Sequence, residues 1–221
     1  VFAFGQAFFS LSVAGNGSVI YGSYLPKNEN IPNSALRVAF FDTVAALLAA
    51  FVIIPAIGAS GFAMSDVTPG PGLMFVYLVN ILNGMPGGRV IGVIFYVAVL
   101  FAGLSSIVNL YEAPVATMQE QFKLKRGPAV AIIGVVGAVV ALLIQPWTSQ
   151  WMDVVSIYIC PLGAALAAIM FFVVLPKEKA LEEVNRGAKK PIGNWFIPLG
   201  YVFIVLCIAA LILGVKFGGI G

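Results

Sequence analysis

Twelve Lys and Arg and nine Asp and Glu divide this chain of 221 residues very unevenly. Between them run charge-free stretches at 1–26, 43–65, 67–88, 90–111, 127–152, 154–176 and 191–215, each at least 22 residues long. A helix that crosses the hydrocarbon core of a bilayer needs about 20 apolar residues. Charged residues make up only 10% of the chain, against roughly 25% in soluble domains. A soluble enzyme, a nucleic-acid binder and a disulfide-stapled secreted domain are thereby excluded. No histidine is present, which removes the commonest general base and metal ligand. Cys160 and Cys207 sit inside apolar runs and read as small packing residues. Inside lipid the backbone must satisfy its own hydrogen bonds, and runs of this length do so as helices. The expected fold class is therefore an all-α, polytopic helical membrane protein.

Turn signals break the chain into six expected spans at about 1–24, 34–58, 88–121, 127–145, 151–174 and 193–216. The 67–88 run differs, because Pro69, Gly70, Pro71, Gly72, Gly84, Pro86, Gly87 and Gly88 crowd it. Such residues punctuate loops, so 59–87 is expected to be an external loop carrying a short helix at about 71–83. Positive charge tests this layout. With the first loop inside, Lys27, Arg37, Lys123, Lys125, Arg126, Lys177, Lys179, Arg186, Lys189 and Lys190 are cytoplasmic, and only Arg89 and Lys216 are external. Both ends of the chain then lie outside a cytoplasmic membrane, and about 176–187 forms a cytoplasmic amphipathic helix closed by Gly187. The chain begins with Val in mid-run, which leads us to expect a preceding part.

Polar groups inside apolar helices cost free energy unless they are used or satisfied. Three places stand out. Ser10-Leu11-Ser12-Val13-Ala14-Gly15-Asn16-Gly17-Ser18 is a poor helix former at half depth, with a break expected near 13–18. Either its freed backbone groups line a cavity and bind ions or carboxylates, or its small residues admit a neighbouring helix. Asp42 lies about eight residues, roughly 12 Å, into the second span. It either faces a cation or another helix's partner, or is protonated and hydrogen-bonded. Ala102, Ser105 and Ser106 share one helix face and offer a carbonyl and two hydroxyls, a hard-oxygen set suited to a hard cation. Serines in membrane helices also bond back to their own helix. Glu112 and Glu120 follow on that helix, and Asp153 opens the fifth span. Oxygen ligands at mid-depth on three helices, one of them broken, suggest a cation-coupled transporter. No nucleophile–base pair, metal-ligand cluster or phosphate loop points to an enzyme.

At these residues the chain resembles the C-terminal half of a neurotransmitter:sodium symporter, and a bacterial amino-acid member in particular. Gly5-Gln6 with Phe8-Phe9-Ser10-Leu11-Ser12 is similar to the family's sixth helix, with Tyr21-Gly22-Ser23-Tyr24 at its end. Asp42-Thr43 and Ile54-Pro55 resemble the seventh helix, Gly70-Pro71-Gly72-Leu73-Met74-Phe75-Val76 the fourth external loop, and Phe101-Ala102-Gly103-Leu104-Ser105-Ser106 the eighth. The resemblance implies helices six to eleven, that is, the second inverted repeat of a five-plus-five helix fold plus one further helix. Helices one to five would be supplied by the preceding part. It implies sodium-coupled symport of an amino acid by alternating access.

For individual residues, the resemblance implies Ser10 and Asp42 as ligands of a first sodium ion, and Ala102, Ser105 and Ser106 of a second. It implies Phe9, Ser10, Ser12, Gly15 and Ser106 around the substrate, with Phe9 as its lid. Gln6 and Asp153 would form the external gate, and Tyr24 and Glu120 the internal one. A carboxylate at Asp42, where chloride-dependent relatives have asparagine, implies chloride independence. Gly15 stands where the family usually has a bulky residue, and Asn16 where it has glycine, so a roomy pocket that favours a large apolar or aromatic amino acid is expected. Two other readings stay open, a proton-coupled amine or amino-acid carrier of the same fold and a half-length membrane subunit with a binding or scaffolding role.

Overall fold

A computed structural model of the chain describes residues 7–13, 17–59 and 72–217, and among these there is helix and turn but no strand. Residues 7–10 are helical and lead into a turn. Helix α1 (Gly17–Tyr24) follows, then α2 (Ile31–Ala59). Helix α3 (Leu73–Asn83) opens with a π-helical turn over Leu73–Tyr77, and α4 spans Gly88–Gln121. Helix α5 (Arg126–Ile144) passes through a 3-10 turn at Gln145–Trp147 into α6 (Thr148–Val154). A π turn (Val155–Ile159) leads to α7 (Cys160–Ile169), and a second (Met170–Val174) follows it. Helices α8 (Lys177–Asn185) and α9 (Phe196–Phe217) end the described chain.

Among the described residues, four helical stretches are long and apolar enough to cross a membrane: Ile31–Gly58, Gly88–Gln121, Arg126–Val174 and Phe196–Phe217. The third has 49 residues, which at about 1.5 Å per residue would reach roughly 70 Å, more than twice a ~30 Å hydrocarbon core. Pro146, lying in the 3-10 turn that divides it, has no amide hydrogen for an α-helical ladder.

The chain folds as two compact units, Val1–Asp42 with Leu110–Gly221, and Thr43–Asn109. The first unit is organised where α7 lies against α9. Small residues make this possible, with Cys160, Ala164 and Ala165 facing Cys207 and Ala210 in one buried cluster that Phe8 completes. The Phe8 ring lies 5.7 Å from that of Phe203. Both cysteines are free and buried. One turn further along, Gly200 lets the Phe172 ring rest on the α9 backbone, since a Cβ there would lie 2.2 Å from Phe172 Cδ1.

In the second unit α3 folds back onto its neighbours. Tyr96 of α4 donates a hydrogen bond to the Met74 carbonyl at 2.6 Å, and its ring stacks on Phe75 at 6.1 Å. Leu78 of α3 and Ile57 of α2 are buried and border the same small apolar gap. The return into α4 needs glycine twice. Gly87 has φ +73°, and a Cβ at Gly88 would fall 1.6 Å from the Leu82 carbonyl oxygen. The fourth-loop residues Gly70 and Pro71 lie outside the described residues.

Candidate functional site

The first helical segment stops because its last residues turn out of the ladder. The Leu11 amide still reaches the Ala7 carbonyl at 3.1 Å, but Ser12 donates to Phe9 instead, also at 3.1 Å. Ser12 then adopts φ +51°, a left-handed conformation that costs a side-chain-bearing residue of order 1 kcal/mol. Helix resumes at Gly17. The carbonyls freed by the turn find a partner across the gap, because Ser18 Oγ donates to Leu11 O at 3.1 Å and to Ser12 O at 3.3 Å. Gly15 and Asn16, like Gln6 and Gly5, lie outside the described residues.

The same segment carries two adjacent aromatic rings with opposite fates. Phe8 is buried against α7 and α9, while Phe9, one residue on, is half exposed. Ser10 follows and donates from Oγ to Asp42 Oδ1 of α2 at 2.5 Å. Two oxygens from segments 32 residues apart are thus held side by side next to a helix break. Donating its proton leaves the hydroxyl oxygen with both lone pairs, so Ser10 and Asp42 bring two hard oxygens together, the donor type that a hard cation takes. Asp42 is half-buried and Ser10 exposed, so the pair remains reachable.

Ala102, Ser105 and Ser106 belong to the second unit and are described there. Ser105 Oγ donates to the Ala102 carbonyl at 2.8 Å, which gathers two oxygens on one exposed face of α4 with the Ser106 hydroxyl beside them. Asp153 is exposed on α6, and Glu120 is exposed near the end of α4.

A second polar cluster lies at the other end of α1. Tyr24 donates from its hydroxyl to Glu112 Oε1 at 2.9 Å, although the two are 88 residues apart. Arg126, the first residue of α5, grips the same carboxylate with both terminal nitrogens, at 2.8 and 2.9 Å. Glu112 is the buried charged residue of the described core. A two-pronged guanidinium with a phenol is the kind of partner set a buried carboxylate requires. The sequence marked Tyr24 but gave Glu112 and Arg126 no role. Their signal was a carboxylate nine residues before a helix end, followed by an arginine opening the next helix.

Beside this cluster an apolar cavity of about 700 Å³ opens between Val19 and Ile20 of α1, Ala113 and Thr117 of α4, and Leu166 of α7. None of Phe9, Ser10, Ser12 or Asp42 lines it, so this cavity and the polar pair are separate features.

With this geometry in view, comparison with known proteins is informative. The model of the Sodium:neurotransmitter symporter family matches residues 1–217. A sodium-dependent transporter of Bacillus subtilis, YhdH, is 30% identical over 229 residues, covering 93% of this chain and 50% of that protein. One from Methanocaldococcus jannaschii is 28% identical over 221 residues, covering 95% of this chain and 45% of the relative. Among solved structures, the crystal structure of MhsT in complex with L-phenylalanine superposes with a TM-score of 0.79 at 28% identity, over 97% of this chain and 50% of that one. The chain spans about half the length of these relatives. Its all-helical fold is that of MhsT over the matched part.

Proposed function

Because this chain belongs to the sodium:neurotransmitter symporter family, a family of transporters rather than enzymes, we propose that it is half of a sodium-coupled amino-acid symporter that works by alternating access. Transport belongs to the whole protein. The chain contributes helices six to eleven, and the helices carrying the remaining ligands precede them. The observation that carries the proposal is the Ser10–Asp42 pair held beside the helix break. A carboxylate and a hydroxyl at mid-depth, next to a helix break, form a site that favours a desolvated cation.

In this reading Ser10 and Asp42 bind one sodium ion, and Ala102, Ser105 and Ser106 another. Phe9, Ser12, Gly15 and Ser106 surround the substrate, with Ser10 shared between ion and substrate. Gln6 and Asp153 close the external side. Tyr24 and Glu120 close the internal side, and we add Glu112 and Arg126 to that gate because they hold Tyr24 at the end of α1. Asp42 supplies the fixed negative charge that would otherwise come from an anion, so transport is chloride-independent. The excess of Lys and Arg in the 27–37, 123–126 and 177–190 regions puts these on the cytoplasmic side of the inner membrane. The 49-residue helical stretch then makes two crossings around Pro146.

The substrate is a large apolar or aromatic amino acid. MhsT was crystallised with L-phenylalanine, and Gly15 takes no side-chain volume beside the break. Competition binding to the whole transporter, with amino acids of graded size, tests this. Phenylalanine, tryptophan or leucine should compete best in sodium and lose competition in potassium, and Gly15→Phe should move the preference toward smaller ligands. Best competition by glycine or alanine in the parent protein would overturn the substrate assignment.

A further inference from the structure

The segment after the α7 helix takes no part in the site, yet it touches the turn that leaves α1 through backbone. Helix α8 is anchored by Ala180 and Val184, both buried. At its end Asn185 closes the chain on itself. Its side-chain amide donates to the Ile192 carbonyl at 2.9 Å, and its Oδ1 accepts from the Ile192 amide at 2.7 Å. This two-way clasp, with Ala188 N bonded to Asn185 O at 3.0 Å, makes residues 185–192 a closed loop of defined shape. Gly187 lies within it. A Cβ at Gly187 would sit 2.1 Å from Glu29 O and 2.6 Å from the Asn28 carbonyl carbon. Its φ is not in the left-handed region, so glycine is required here by proximity alone.

Asn28 and Glu29 belong to the turn that leaves α1. Glu29 N donates to Pro26 O at 3.0 Å, and Leu25 N to Gly22 O at 3.3 Å, so the turn follows directly on Tyr24. It is equally tied to α2, because Ser34 Oγ donates to Glu29 Oε1 at 2.5 Å and Ile31 N to Glu29 O at 3.1 Å. Movement of the turn therefore moves the Tyr24 end of α1.

We propose that Gly187, held in place by the Asn185–Ile192 clasp, is the stop on which the 26–29 turn rests, and that this contact keeps Tyr24 on Glu112. Asn185 and Gly187 are positioning residues for the internal gate, and the proposal rests on reading Tyr24–Glu112 as part of that gate. A methyl group at Gly187 cannot be accommodated 2.1 Å from a carbonyl oxygen. The turn must retreat by about 1 Å to restore ordinary contact, which is enough to break a 2.9 Å hydrogen bond.

The test uses the whole transporter with a cysteine introduced as Val19→Cys on α1, labelled by a membrane-impermeant thiol reagent from the cytoplasmic side. Gly187→Ala should raise the labelling rate about five- to tenfold, as expected when one hydrogen bond no longer holds a two-state closure. Tyr24→Phe should raise it similarly, and the two together should do no more than either alone, because both act through one contact. Asn185→Asp, which keeps the acceptor and loses the donor without adding bulk, should give a smaller rise in the same direction and decides the matter if Gly187→Ala does not fold. Unchanged labelling in well-folded Gly187→Ala and Asn185→Asp, or additive effects with Tyr24→Phe, would overturn the brace. If Tyr24→Phe itself leaves labelling unchanged, the gate reading fails, and the brace with it.

Discussion

Asp42 carries more of this account than any other side chain. Its carboxylate accepts a hydrogen bond from Ser10 at 2.5 Å, and no Lys or Arg stands within four residues of it in the chain. In the proposed mechanism its negative charge faces sodium. Asp42→Asn removes the charge but keeps an acceptor for Ser10, so transport by the whole protein should become chloride-dependent or cease. Uptake assays with chloride replaced by gluconate distinguish these outcomes from unchanged transport, which would remove Asp42 from the ion site. For the second ion, Ser105→Ala with Ser106→Ala deletes two hydroxyl oxygens from one face of α4. The sodium concentration for half-maximal binding should rise about tenfold or more, on the scale of one or two lost polar contacts to a charged group. Equilibrium binding of labelled substrate across a sodium titration measures it.

Residues of this kind were legible in the sequence because they are anomalies. A carboxylate or a Ser-rich stretch inside an apolar helix announces itself. What they touch was not legible. Ser18 reaching back to Leu11 and Ser12, or Tyr24 meeting Glu112 across 88 residues, depends on how separate helices are placed. The left-handed Ser12 was equally hidden, since serine carries no preference for that conformation. Gly187, which the sequence marks only as a helix terminator, is explained by the Glu29 backbone lying against it.

Among elements, close helix packing rests on small residues rather than on large apolar ones. α7 meets α9 through alanines and cysteines, and Phe172 closes over Gly200. The leucines, valines and phenylalanines of α2, α4 and α5 are instead largely exposed within the chain, as expected of surfaces that meet lipid or further helices. Composition made the helical class plain, but it could not divide small from large residues by face, because nearly every position in such a run is apolar. Gly200→Ala should overpack the joint and destabilise it by about 1–3 kcal/mol, seen as an earlier thermal unfolding midpoint in detergent. Adding Phe172→Ala should recover part of that loss. If Gly200→Ala unfolds no earlier than the parent, the Phe172–Gly200 contact does not hold α9 in place.

For the molecule as a whole, the spacing of charges divides the chain into long apolar runs, and among the described residues four helical stretches are long and apolar enough to cross a membrane. The family match covers nearly all of the chain, while the chain covers only about half of its relatives. In the proposed function a complete site also needs the part of the relatives that this chain does not span, and the activity to be measured is that of the whole transporter. The central claim is that an inward sodium gradient drives substrate through a site built on Ser10 and Asp42. It is tested most directly by uptake of labelled L-phenylalanine into proteoliposomes containing the whole protein. Imposed gradients of sodium, potassium or protons, with and without chloride, are compared side by side. The account predicts concentrative uptake with inward sodium, none with potassium or a proton gradient alone, and no effect of removing chloride. Uptake that continues in potassium, or that a proton gradient alone sustains, would contradict it.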